Sequence, residues 1–163
     1  MLYFEKFNLA ELPELGAAKY GLRPSLSMVV GSFYTYMDLE RLSRGVAQAL
    51  ALKGVKKGDR VALLAENSPH WVIAWFGIVR AGAVVVPILN DFMPKQIANI
   101  IQHSGAKIVF ASKKLQAKLA DMSPKPDIWD VSESLEPSTD YVELPAVEAD
   151  DLDLVRDILT KRH

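Results

Sequence analysis

Apolar residues crowd most densely between His70 and Leu89, HWVIAWFGIVRAGAVVVPIL, where Arg80 is the only charge after His70. As one helix, nineteen residues would run roughly 28 Å, close to the thickness of a bilayer core. The punctuation argues for two shorter elements instead. An arginine at mid-depth would cost about 2.5–3.5 kcal/mol on insertion scales. Gly82 follows Arg80 as a helix stop follows a last-turn cation. Val84-Val85-Val86 is a β-branched run closed by Pro87. Upstream, Ser68 suits an N-cap and Pro69 a first helical position. The pattern therefore predicts a helix from Pro69 to Arg80 and a strand from Ala83 to Pro87. The strand is apolar at every position, which implies burial on both faces.

The same alternation recurs along the chain. Thr35 and Asp38 fit a capping box, and Leu39, Leu42, Val46, Ala49 and Leu50 follow at helical spacing up to Gly54. Val61 to Ala65 reads as a second buried strand. Pro94 opens a helix with Ile97, Ile100 and Ile101 on one face, closed by Gly105. Lys107 to Ala111 is a third strand, and Ser112 caps a short helix with Leu115 and Leu119 inward. Before Thr35 we expect a helix from Leu9 to Tyr20, with Pro13 in its first turn. A hairpin follows, with Leu26, Met28 and Val30 alternating, a turn at Gly31-Ser32 and a return over Phe33 to Tyr36. Short strands at Ile128 to Val131 and Tyr141 to Leu144, and a helix at Asp151 to Thr160, complete the reading.

Helices and strands in alternation imply an α/β fold, a mostly parallel sheet with helices on both faces, plus a small N-terminal hairpin. Residues 1–36 form the lead-in, 37–122 the parallel core, and 123–163 a linker with short strands and a C-terminal helix. The Pro69–Arg80 helix carries two apolar stripes, Trp71/Trp75/Ile78 and Val72/Phe76/Val79, where an amphipathic helix needs one. Either it is sandwiched between the sheet and another element, or the Trp71/Trp75 stripe meets a second subunit or a further domain.

Composition narrows the function. Half of the residues are hydrophobic and 24% charged, which suits a globular core. A net charge of −1, without a basic run, gives no pull toward nucleic acid. The absence of cysteine excludes disulfides, a thiol nucleophile and thiolate-bound zinc. MLYFEKFNLAEL lacks the form of a signal peptide, so a cytoplasmic protein is expected. Charge is uneven: Asp127 to Asp153 holds ten acids and no Lys or Arg. That segment is either a solvated surface or one that docks on the more basic remainder.

Candidate chemistry is sparse. No glycine cluster of the kind that cradles phosphate occurs. His70, His103 and His163 are far apart and lack metal spacing; His70 is expected exposed in a helix's first turn. Asp150, Asp151 and Asp153 fit a solvated acidic stretch better than a cation site. Ser68 has no nucleophile-elbow glycines, and capping explains it.

Taken together, YTYMDL (Tyr34–Leu39), GVKKGDRVALLAENSPHW (Gly54–Trp71) and IVRAGAVVVPIL (Ile78–Leu89) resemble, in order and spacing, the N-terminal part of the adenylate-forming (AMP-binding) superfamily. PSLSMVVGSFYTY and VVVPILNDF are most similar to long-chain fatty acid–CoA ligases. The resemblance implies a parent that activates a carboxylate with ATP and magnesium to acyl-AMP and transfers the acyl group to CoA. The motifs present are scaffold in that family. Its glycine- and hydroxyl-rich phosphate loop would follow a stretch like Glu148 to Leu152, where the chain reads DLDLVRDILTKRH instead. No catalytic, cofactor-binding or metal residue of the family maps onto this chain. The expectation is an inactive N-terminal fragment whose partner is the rest of its enzyme. It should expose apolar surface and can dimerise through it or through the Trp71/Trp75 helix. A non-catalytic interaction or regulatory domain on the same scaffold is the alternative. A flavodoxin-like cofactor binder is disfavoured because no loop offers clustered N–H donors.

Overall fold

The computed structural model describes residues 8–31, 33–133 and 144–147. The expected helix at Asp151–Thr160, and the first three residues of the expected strand at Tyr141–Leu144, lie outside them. A 3-10 turn at Leu9–Glu11 leads into α1 (Leu12–Tyr20). The antiparallel pair β1 (Pro24–Ser27) and β2 (Phe33–Thr35) follows. Next come α2 (Tyr36–Leu52), β3 (Arg60–Leu64), α3 (Pro69–Arg80), β4 (Val84–Pro87), α4 (Pro94–Ser104) and β5 (Ile108–Ala111). The short helix α5 (Lys113–Gln116) and β6 (Asp127–Asp130) complete the order. The four strands β3 to β6 form one sheet in the order β4-β3-β5-β6, every pairing parallel.

Strand periodicity sorts the core into two layers. Val61, Leu63, Ile108 and Phe110 face one cluster, built with α2 and α3. Ala62, Leu64, Val109 and Ala111 face the other, built with α4 and α5. The central strands are thus covered on both sides, which is why they read as unbroken apolar runs. β4 differs from its expected burial. Val85 packs into the first cluster and Val86 into the second, but Val84, Val85 and Val86 are only half-buried and Pro87 is exposed. β4 is a terminal strand, so solvent reaches it from the side that has no neighbour among the described residues.

Local signals place the helices. Thr35 accepts from the Asp38 N–H at 3.1 Å while Asp38 accepts from the Thr35 N–H at 2.9 Å, closing the capping box. Ser68 accepts from the Trp71 N–H at 3.2 Å and starts α3. Gly105 ends α4 in the left-handed conformation, φ 69°. The apolar stretch 70–89 is indeed two elements, and no helix among the described residues is long and apolar enough to cross a membrane. In the hairpin, β1 stops at Ser27, so Met28 and Val30 lie in an exposed loop rather than in the expected alternating strand.

α2 and α3 pack unusually closely. A Cβ on Gly77 would lie 2.3 Å from Val46 Cγ1 and 3.1 Å from the Ser43 carbonyl oxygen. Buried Arg80, read from the sequence as a last-turn cation, reaches across this contact. Its guanidinium donates to Ser43 Oγ at 3.0 Å and to the Glu40 carbonyl at 2.9 Å, and pairs with the Glu40 carboxylate at 3.2 Å. On α2, Ala47 is buried where Ala49, the expected core position, is half-buried.

Two outcomes are expected. Gly77→Ala should destabilise the chain by about 2 kcal/mol, because the added methyl overlaps Val46. Val46→Ala in the same chain should recover part of the loss, read as a coupling of about 1 kcal/mol in a urea-denaturation double-mutant cycle. The second outcome concerns acid. Hydrogen bonds from the Thr35 hydroxyl and N–H, with Arg41 nearby, hold the Asp38 carboxyl below its ordinary 3.8 against the opposing effect of burial. A depressed folded pKa stabilises above the unfolded value and is lost as pH falls through the folded one. The stability gap between wild type and Asp38→Asn should therefore be full at neutral pH and close from about pH 4 downward, as followed by thermal melts across that range.

Candidate functional site

Strand order locates the site. The chain runs from β3 outward to β4, then crosses back over β3 to β5, so the topological switch point lies between β3 and β5. Open parallel sheets bind ligands outside the carboxyl ends of their strands at such a point. Here those ends are Ala65-Glu66-Asn67 after β3 and Ser112-Lys113-Lys114 after β5, with Asp130 ending β6 beside them.

The charges at this rim are paired. Lys114 Nζ lies 3.7 Å from Glu66 Oε1, and Lys113 Nζ 3.7 Å from Asp130 Oδ2. Ser112 donates its N–H to the Leu64 carbonyl at 3.2 Å, tying the two loops together. Its Oγ is buried without a hydrogen bond of good geometry, so it makes none of the cap bond expected for α5. That hydroxyl, Glu66's own N–H and Lys114 hold the Glu66 carboxyl below the usual range. Burial pushes Asp130 up, but the Ser132 hydroxyl and N–H, together with Lys113, outweigh it and leave that carboxyl low as well. Ser132 donates to Asp130 Oδ1 from both groups, at 2.6 and 2.8 Å. Both acids are therefore anionic at neutral pH, and neither is poised as a general base or acid.

Around this rim, Lys113, Gln116, Trp129, Asp130 and Glu133 line an open cleft of about 540 Å³. On the β4 side, Lys118 donates to the carbonyls of Asn90 and Phe92 at 2.5 and 2.9 Å and pins the loop after the strand. A second cleft of about 420 Å³, at the amino ends of the strands, holds Lys53, Arg60, Lys107, Asp59 and Asp127. There Lys53 pairs with Asp127 at 3.5 Å, and Arg60 donates to the Ser104 carbonyl at 2.6 Å.

The residues singled out from sequence serve other ends. His70 is half-buried rather than exposed, since Tyr34 Oη lies 3.0 Å from its Nε2 and the rings meet edge to face. His103 is exposed at the end of α4; His163, Asp150, Asp151 and Asp153 lie outside the described residues. Trp71 and Trp75 are partly buried against the first core cluster, with Trp75 edge-on to Phe76 at 5.0 Å. The helix is sandwiched, as its two stripes allowed. Among the described residues no group of three or more His, Asp or Glu side chains could hold a metal ion. Glycines at positive φ sit in separate turns rather than in one cradle. Glu66, Lys113 and Asp130 went unmarked in the sequence and Ser112 was read only as a helix cap, although each ends a strand or lies within two residues of one; only strand order makes those ends neighbours.

Known proteins share this fold and much of its sequence pattern. The chain is 29% identical over 135 residues to the acyl-CoA ligase sidI of Aspergillus fumigatus, covering 79% of this chain and 23% of that protein. It is 37% identical over 103 residues to a long-chain-fatty-acid–CoA ligase of Salmonella typhimurium, covering 63% and 18%. Its fold matches that of a long-chain-fatty-acid-CoA ligase from Archaeoglobus fulgidus with a TM-score of 0.75 at 20% identity, over 90% of this chain and 33% of that one. The matches thus span less than a quarter of the length of these curated relatives. Residues 14–155 match the family described as AMP-binding enzyme, and the chain belongs to that family.

Proposed function

We propose that this chain is the N-terminal scaffold of a cytoplasmic AMP-forming acyl-CoA ligase. Its parent activates a carboxylic acid, a fatty acid by the nearer likeness, as an acyl-adenylate and passes the acyl group to CoA. The supporting observation is the 37% identity to a long-chain-fatty-acid–CoA ligase over 103 residues, coupled to a parallel core of the same fold. The rest of that enzyme is then this chain's partner.

The described residues do not fit the reacting groups. ATP's phosphates need clustered N–H donors, and the positive-φ glycines 54, 58, 82 and 105 occupy separate turns. Magnesium needs free oxygens, and Glu66 and Asp130 are each paired with a lysine. What these residues do is structural. The capping box starts α2, the Arg80 contacts hold α3 against it, and Lys118 fixes the loop beyond β4. Lys118 acts at the carboxyl end of the sheet, while Arg80, last in α3 and just before β4, acts toward its amino end. The adenylating groups belong to segments that the resemblance places after this one.

The 163-residue chain is accordingly expected to show no fatty-acid-dependent ATP–pyrophosphate exchange above background, while circular dichroism shows it folded. Exchange would overturn the proposal that it is scaffold alone. A reading frame continuing past His163 into a glycine- and hydroxyl-rich loop would support the parent enzyme; a stop codon there would favour a free-standing interaction domain.

A further inference from the structure

We propose that the tip of the β1–β2 hairpin inserts into the interface of an anionic lipid bilayer. The register Leu26↔Tyr34 and Ser27↔Phe33 carries the strands outward to a loop beginning at Met28. Leu26 and Tyr34 face inward and pack against the α2–α3 cluster. Beyond them Met28, Val29 and Val30 are 52%, 103% and 88% exposed, and Phe33 55%. A run of three consecutive exposed apolar residues serves no fold and marks an interaction.

Shape and charge select the occupant. The tip offers only a few hundred Å², short of the roughly 800 Å² per partner of a specific protein interface. The other exposed apolar residues nearby, Leu22 and Met37, lie at the foot of the hairpin, where Met37 N–H bonds the Gly21 carbonyl. They cannot join the tip in one flat patch. A small protruding apolar point suits a fluid interface, into which such groups sink about 5–10 Å. Lys19 and Arg23 are the only charged residues between Glu14 and Asp38, and both are exposed. Arg23 stands roughly 17 Å of extended chain from Met28, which sets the cations near the headgroups when the tip is inserted. At the foot the nearest acid, Asp38, is engaged by Thr35 and Arg41, which leaves Lys19 and Arg23 to complement anionic lipid. The proposal concerns neither the sheet nor its carboxyl ends, and an intact parent enzyme whose remainder covers the tip would overturn it.

The test is co-sedimentation of the 163-residue chain with phosphatidylcholine vesicles, with and without phosphatidylglycerol. Binding is expected only to the anionic vesicles, weakened by salt. Lys19→Gln and Arg23→Gln should each weaken it about fivefold. Val29→Asp with Val30→Asp should weaken it at least about tenfold, with an unchanged urea midpoint because both side chains point into solvent. In Val30→Trp, indole emission should shift to the blue on adding anionic vesicles, beyond any shift of the wild-type chain. Absence of vesicle binding, binding untouched by the tip substitutions, or an emission of the Val30→Trp chain that moves no more than the wild type's would overturn the proposal. So would self-association without lipid that the tip substitutions abolish, which would make a second copy the occupant.

Discussion

Everything in this fold rests on how closely α2 can approach α3. With no Cβ at Gly77, Val46 enters the helix surface and fills the space where a side chain would be. At that separation Ser43 and the Glu40 carbonyl lie within reach of Arg80. A buried guanidinium without partners would be severely costly; with three acceptors in place it is compensated and also directional. Packing therefore sets the distance, and the hydrogen bonds set the register along the pair. Residues of both helices, among them Leu42, Leu50, Ile73 and Ile78, can then meet Val61, Leu63 and Phe110 in a single cluster. The outer hairpin inherits its position from the same pair, because Leu26 and Tyr34 pack on that cluster and Tyr34 reaches His70 on α3.

With one face of the sheet placed, the second follows from the chain's path. α4 and α5 cover Ala62, Leu64, Val109 and Ala111 from the other side. This double coverage forces the direction change between β3 and β5, and the direction change opens the crevice at their carboxyl ends. Described residues from the distant segment 144–147 return to the first face. Leu144 packs on its cluster, Pro145 Cγ comes within 3.0 Å of where a Cβ on Gly82 would stand, and the Val147 carbonyl accepts from Asn8 at 2.6 Å. A left-handed Gly82, φ 72°, is thus needed twice, for the turn out of α3 and for this crossing.

What was legible in the sequence was local. Capping at Thr35/Asp38 and at Ser68, the break between Arg80 and Val84, and the three apolar strand runs depend on residues within a few positions of each other. The features that escaped are set by partners far along the chain. Arg80 reads as a last-turn cation until Glu40 and Ser43, some forty residues away, are brought to it. His70 reads as solvated until Tyr34 arrives across thirty-six positions. The β-branched run of β4 has the composition of a central strand, and composition carries no record of strand order. The pairing of Lys114 with Glu66 is hidden for the same reason. The family resemblance rested on the order of three motifs, so it survived without any of these long-range contacts.

The electrostatics of the rim explain why a chain of this family can show its scaffold so clearly and its chemistry so little. Acid–base and metal chemistry need groups left short of partners, so that substrate or ion completes them. At the carboxyl ends of β3, β5 and β6 the reverse holds. Glu66 and Asp130 each have a lysine and a serine beside them, and their carboxyls are held in the anionic form. Such pairs stiffen loops and fix the shape of a wall. Ser112 Oγ, buried between the two central loops, faces the Glu66 carboxylate without a well-formed hydrogen bond to it. The carboxyl-end wall is therefore a consequence of sheet packing.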